Sequence, residues 1–123
     1  MQTVGESFGE LAARKRAGSG LSLRALADKV GVSLTYLCDI EKGRRNPPDI
    51  GTLDRLANAL GFTEEERLRS YDLSGESRGG VSADLPEYIM SNPYIRVALR
   101  KAKDKKASED VWLRLISEMD SQE

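Results

Sequence analysis

The side chains of this chain best placed to do chemistry lie close together: Thr35, Tyr36, Asp39 and Lys42, followed by Arg44 and Arg45. Their chemistry is hydrogen bonding and charge, not bond making. The 123 residues hold no histidine and one cysteine. No phosphate-cradling glycine loop is present and no nucleophile stands beside a base, so general acid–base, nucleophilic and metal chemistry have no carrier. A single cysteine, Cys38, excludes an intramolecular disulfide and, with no histidine, the common zinc sites, which fits a reducing cytoplasm. We therefore expect no enzyme, no metal and no cofactor.

The stretch from Leu21 to Pro48, LSLRALADKVGVSLTYLCDIEKGRRNPP, must position those side chains. Leu23, Leu26, Ala27 and Val30 fall at i, i+3, i+4 and i+7, one stripe of a helix, with Ser22 at the N-cap position. Gly31 ends that helix, because glycine takes the left-handed conformation that often follows a helix at no steric cost. Ser33 caps a second helix from about Leu34 to Lys42, which stops at Gly43, and Pro47-Pro48 hold the next segment extended. Leu37 and Ile40 commit one face of this second helix to the core. The opposite face, with Thr35, Tyr36, Asp39 and Lys42, is polar, and a helix of this width fits the major groove of DNA. An ordinary solvated face on a core helix would explain any one of these features; their conjunction points to DNA.

Residues 8–73 resemble the DNA-binding domain of the Xre family, the phage Cro and lambda-repressor type of helix-turn-helix, and the quoted stretch follows the family pattern nearly throughout. The resemblance implies an all-α fold, a bundle of five helices that binds a palindromic operator as a homodimer and most often represses. Carried over position by position, Leu34, Thr35 and Asp39 would read bases in double-stranded DNA, with Tyr36 bordering the backbone. Ser22, Arg24, Lys42, Arg44 and Arg45 would face phosphates. One position departs from the pattern: Leu23 stands where the family often places a glutamine that bonds a phosphate. The resemblance also implies an inward ion pair between Arg16 and Glu41. Glu41 lies four residues after Leu37 and leans to the core side, where a carboxylate needs a partner.

Around this motif, a first helix is expected over about Val4 to Ala17, with Phe8, Leu11 and Ala12 buried, and Ala17–Gly20 as a flexible link. Leu53, Leu56, Ala57 and Leu60 repeat the helical stripe between an N-cap at Asp49 and a stop at Gly61. Thr63 and Glu66 have the spacing of a capping box that opens a fifth helix, with Leu68 and Tyr71 packing it on the bundle. The composition of residues 74–84, SGESRGGVSAD, is that of a linker. This gives a DNA-binding domain over 1–73, the linker, and a short helical segment over 85–123. That segment carries a helix over Leu85–Met90, a stripe of Ile95, Ala98, Leu99 and Ala102, and a helix capped by Ser108 with Trp112, Leu115, Ile116 and Met119. About 40 residues rarely build an independent core. Either these helices pack back on the first domain or they pair between subunits, and Ile95, Leu99, Trp112, Leu115 and Ile116 are expected to form a dimer or partner surface.

The chain as a whole is nearly neutral, with 19 basic and 20 acidic residues. Basic residues nevertheless cluster at Arg14, Lys15 and Arg16 and again at Lys42, Arg44 and Arg45, and a local basic rim suffices for phosphate contacts. The run Arg100–Lys106 reads as a solvated helix face. No apolar run approaches the roughly 20 residues of a membrane helix, and no secretory signal opens the chain, so a cytoplasmic, DNA-associated protein of a prokaryote or phage is expected. Cys38 reads as a small residue beside the groove, since no second cysteine could resolve its oxidation. The alternative function is a protein-interaction module, such as an antitoxin or accessory partner, with DNA binding secondary.

Overall fold

The computed structural model describes residues 5–122, and among them the chain is helical without strands. The helices are α1 (Phe8–Gly18), α2 (Leu23–Val30), α3 (Leu34–Glu41), α4 (Ile50–Leu60), α5 (Glu64–Arg78), α6 (Pro86–Ser91), α7 (Pro93–Asp104) and α8 (Glu109–Asp120). They divide into two compact units, Met1–Pro86 and Glu87–Glu123.

The first unit starts its helices the way its sequence dictates. Ser7, Ser22, Ser33, Asp49 and Thr63 each accept a hydrogen bond from the backbone N–H three residues on, at 3.0–3.1 Å. Each such cap contributes about 1 kcal/mol. At Ser7 and Thr63 the box is reciprocal, with Glu10 and Glu66 accepting from the cap backbone. Gly31 and Gly61 end α2 and α4 in the left-handed conformation. Between these punctuation points the apolar stripes meet: α1 packs on α3, α4 and α5, α2 on α3 and α4, and α4 on α5. Leu11, Leu26, Leu37, Ile40, Leu53 and Leu56 form the centre of the core, each no more than 2% exposed.

Four local expectations are corrected. The first helix begins at Phe8, because Ser7 is its capped N-terminus; the expected start at Val4 lies outside the described residues. The expected flexible link is a pinned turn. Ala17 and Gly18 are helical, Ser19 Oγ donates to Lys15 O at 2.9 Å, and Arg16 Nη1 donates to Leu21 O at 2.9 Å. Leu68 stays 47% exposed, while Tyr71 and Leu73 pack α5 on the core. The linker composition beginning at Ser74 hides more than one further helical turn: Ser74 and Gly75 are buried, and α5 runs on to Arg78 before Gly79 ends it. Gly75 is what permits this. A Cβ there would lie 2.6 Å from Val81 O and 2.7 Å from Ser82 N, in the returning chain.

In the second unit, Asn92 caps α7 by accepting from Tyr94 N at 2.8 Å, and Arg96 closes α6 by donating to Met90 O at 2.7 Å. Ser108 stands at the N-cap of α8 without a side-chain bond. No residue of α6, α7 or α8 is buried. Among the described residues no helix is long and apolar enough to cross a membrane.

Candidate nucleic-acid interface

Helix α3 is fixed from its inner side. Leu37 and Ile40 are buried, and Gly9 of α1 lies so close to the end of α3 that an added Cβ would sit 2.7 Å from Glu41 O. Beside this contact the Arg16 guanidinium grips Glu41 with two bonds, Nε to Oε2 at 2.7 Å and Nη2 to Oε1 at 3.0 Å. Its third donation, to Leu21 O, ties the same arginine to the start of the helix-turn-helix. The Glu41 hydrogen bonds outweigh burial and raise the pKa of Arg16. Arg55 completes the frame by donating from Nε to Val30 O at 3.1 Å, holding the end of α2 to α4.

The outward face of α3 then presents the residues expected to touch DNA. Leu34 and Thr35 are exposed in its first turn, Tyr36 and Asp39 are half-buried on its flanks, and Lys42 is exposed as the C-cap residue. The helix therefore ends at Glu41, one residue before the expected Lys42. Ser22 accepts from Ala25 N through its hydroxyl oxygen, which leaves the hydroxyl proton free to donate outward. Arg24 is exposed beside it. Leu23 is half-buried and packs against the core cluster, so its own side chain offers no donor on the outer face.

The basic rim is smaller than the charge distribution suggests. Arg14, Lys15 and Arg16 are all engaged within the first unit, with Glu6 at 2.9 Å, Glu66 at 3.0 Å and Glu41 at 2.7 Å. Three consecutive helical residues point in three directions, about 100° apart, and each finds its own carboxylate. Arg44 and Arg45 are exposed but oriented. Arg44 lies 3.7 Å from Asp39 Oδ1, and the Arg45 guanidinium stacks 4.6 Å from the centroid of the Tyr36 ring. Asp39 thus has a cation beside it on the flank of α3.

Cys38 is half-buried with a free thiol. Sequence reasoning missed Gly9, Arg55 and the end of α5. Gly9 had a signal in retrospect: it sits on the buried face of α1 directly beside Phe8, where any larger residue would also fit the apolar pattern. Arg55 and the α5 residues gave none, because their partners lie 25 and 31 residues away in the sequence.

Comparison with known proteins places residues 7–69 in the family described as a helix-turn-helix domain. The chain is 29% identical over 115 residues to the HTH-type transcriptional regulator DdrOP3 of Deinococcus deserti, covering 81% of this chain and 88% of that protein. It is 41% identical over 69 residues to y4dJ of Sinorhizobium fredii, an uncharacterized HTH-type transcriptional regulator, covering 56% and 83%. Among solved structures, SinR, the master regulator for biofilm formation, in complex with DNA aligns with a TM-score of 0.46 at 31% identity, over 50% of this chain and 97% of that one. A SinR–SinI complex aligns with a TM-score of 0.45 at 21% identity, over 92% and 94%.

Proposed function

The chain belongs to the helix-turn-helix domain family, of the Xre type, and is a DNA-binding transcriptional regulator; from that premise we propose that it is a repressor that occupies a palindromic operator as a homodimer. The observation that carries this reading is the locked, outward-facing α3: buried on Leu37 and Ile40, tied through Glu41, and presenting Leu34, Thr35 and Asp39 between exposed cations. Locking matters because a recognition helix must hold its donors and acceptors in register with base edges spaced a few ångströms apart.

In this reading the Thr35 hydroxyl bonds a base edge, Asp39 accepts from a cytosine amino group and Leu34 lies against a thymine methyl. Ser22, Arg24, Lys42, Arg44 and Arg45 contact phosphates, with Tyr36 at the border of the backbone, and supply the salt-dependent part of affinity. The family is a regulatory DNA-binding one, so the chemistry is recognition rather than turnover.

The homodimer is assigned to the second unit. Ile95, Leu99, Trp112, Leu115 and Ile116 lie on helices without a single buried residue, and Trp112 is 38% and Ile116 55% exposed. Water is a poor partner for such faces, and a two-fold operator requires a two-fold protein. A second reading, in which this unit binds a different protein, draws on the same observation.

Selection of bound sequences from a randomised duplex pool tests the proposal. We expect a palindrome with half-sites about one helical turn apart, a dimeric mass in solution, and a specificity loss of about 1–3 kcal/mol at particular base pairs for Thr35→Ala or Asp39→Ala. A monomer that enriches no sequence overturns the repressor and favours the interaction module.

A further inference from the structure

Helix α5 extends past the matched domain, which ends at residue 69, and its last turn reaches the connector between α3 and α4. That connector, residues 42–49, carries Arg44 and Arg45. Pro47 and Pro48 are buried, and Arg44 and Arg45 lean on Asp39 and Tyr36 of α3, but its backbone makes few bonds: the two prolines have no N–H to donate, and the last backbone bond that reaches into it from α3 is Arg44 N to Asp39 O at 2.9 Å. Its far half is fastened from α5. Ser77 Oγ donates to Asn46 Oδ1 at 3.1 Å, and Arg78 Nη2 donates to Pro47 O. Arg78 also stands near Asp49, the cap of α4, where its charge is one of the causes that lower the Asp49 pKa.

The end of α5 is itself held from the other side. Behind it, the chain returns: Ala83 N donates to Tyr71 O at 3.3 Å and Ser82 Oγ donates to Asp72 Oδ1 at 2.6 Å, in the space that Gly75 leaves open. The turns that look like a linker in the sequence therefore form a brace between this returning strand of chain and the basic connector.

We propose that Ser77 and Arg78 are positioning residues for DNA binding, holding Asn46 and Pro47 so that Arg44 and Arg45 meet phosphates without first being ordered. The inference rests on the reading above that these two arginines contact phosphates. Binding that has to order a loop loses affinity to that ordering, so a connector fixed beforehand binds more tightly with the same contacts. Two rivals give different outcomes. If Arg78 only complements the dipole at the end of α5, its loss lowers stability and leaves affinity alone. If Arg78 touches phosphate directly, its loss lowers affinity and leaves the connector unmoved.

The test uses the full chain and a fluorescein-labelled mixed-sequence duplex, since phosphate contacts do not depend on sequence. Salt-dependent affinity and amide hydrogen exchange are measured for the unaltered protein, the R44A/R45A variant, the S77A/R78A variant and R78K, all well below their unfolding midpoints. A phosphate contact contributes about 0.9 to the slope of log K against log salt, which near about 0.1 M salt is a factor of roughly eight in affinity. We expect S77A/R78A to lose roughly fivefold to tenfold in affinity with an unchanged salt slope, because ordering the connector alters no phosphate contact, with faster exchange at Arg44, whose N–H is bonded to Asp39 O, and unchanged protection in α2. Arg78→Lys, which can still donate to Pro47 O, should recover part of the affinity and of the protection at Arg44. If R44A/R45A binds as the unaltered protein does, the phosphate reading fails and the brace with it. If R44A/R45A weakens binding but S77A/R78A does not, or weakens it without faster exchange in the connector, the positioning role alone is overturned.

Discussion

The pair formed by Arg16 and Glu41 should be worth more to the fold than any other single surface or boundary contact, and unequally so from its two sides. Glu41 keeps only 8% of its side-chain exposure and Arg16 21%. Arg16→Ala leaves a carboxylate that water can scarcely reach, together with a Leu21 carbonyl deprived of its donor. Breaking a buried pair by removing one partner costs about 3–5 kcal/mol, and with the remaining access to water we place Arg16→Ala near about 3–4 kcal/mol. Glu41→Ala leaves a guanidinium that is more exposed and still bonded to Leu21 O, so its cost is set lower, at about 2 kcal/mol. The double variant should fall short of the sum by about 1–2 kcal/mol, because the second deletion removes the charge that the first one stranded. Urea unfolding followed by helical circular dichroism measures all three. Equal single-variant costs, or a double variant that simply adds, would refute the argument that unequal burial sets the asymmetry. The same pair fixes the last turn of α3, so the Glu41→Ala variant should also bind DNA less tightly while folded.

Gly9→Ala would force a methyl into the backbone carbonyls of Ile40 and Glu41; we expect a loss of about 1–3 kcal/mol in unfolding free energy, measured by urea titration, and a stability equal to that of the unaltered protein would show that α1 and α3 separate freely. Acid should weaken the first unit through its helix starts. The Thr52 backbone N–H and hydroxyl lower the pKa of Asp49, the Ser7 backbone and hydroxyl lower that of Glu10, and at Glu66 burial raises the value but the Thr63 backbone and Lys15 bring it down overall. Folded values below the ordinary 3.8 for Asp and 4.5 for Glu mean stability that is complete above those values and lost as pH falls through the folded ones. Thermal unfolding between about pH 5 and about pH 3 should therefore show a falling midpoint, and Asp49→Asn with Glu10→Gln and Glu66→Gln should flatten the decline. A slope unchanged in that triple variant would place the acid sensitivity elsewhere.

The sequence by itself determined the elements. Caps at Ser22, Ser33, Asp49 and Thr63, glycine stops at Gly31 and Gly61 and the four apolar stripes of the first unit are local signals, set by hydrogen-bond geometry and helical periodicity within a few residues. The face of α3 that carries Thr35 and Asp39 followed from the same local rule once Leu37 and Ile40 were assigned to the core. The Arg16–Glu41 pair needed a resemblance as well, because its partners are 25 residues apart.

Only the tertiary structure decided which charges are free and where the first unit ends. Arg14, Lys15 and Arg16 make as basic a run as Lys42, Arg44 and Arg45, yet the first three pair with carboxylates at 2.7–3.0 Å, whereas Arg44 comes only within 3.7 Å of Asp39 and all three of the later run are exposed. Residues 74–78 have the composition of a linker, and glycine and serine carry weak helix propensities. They are helical because Leu73, Ser74 and Gly75 are buried and because the returning chain fits only against a residue without a Cβ. Propensity is decided residue by residue, whereas burial and close approach depend on what the rest of the chain brings to the same place.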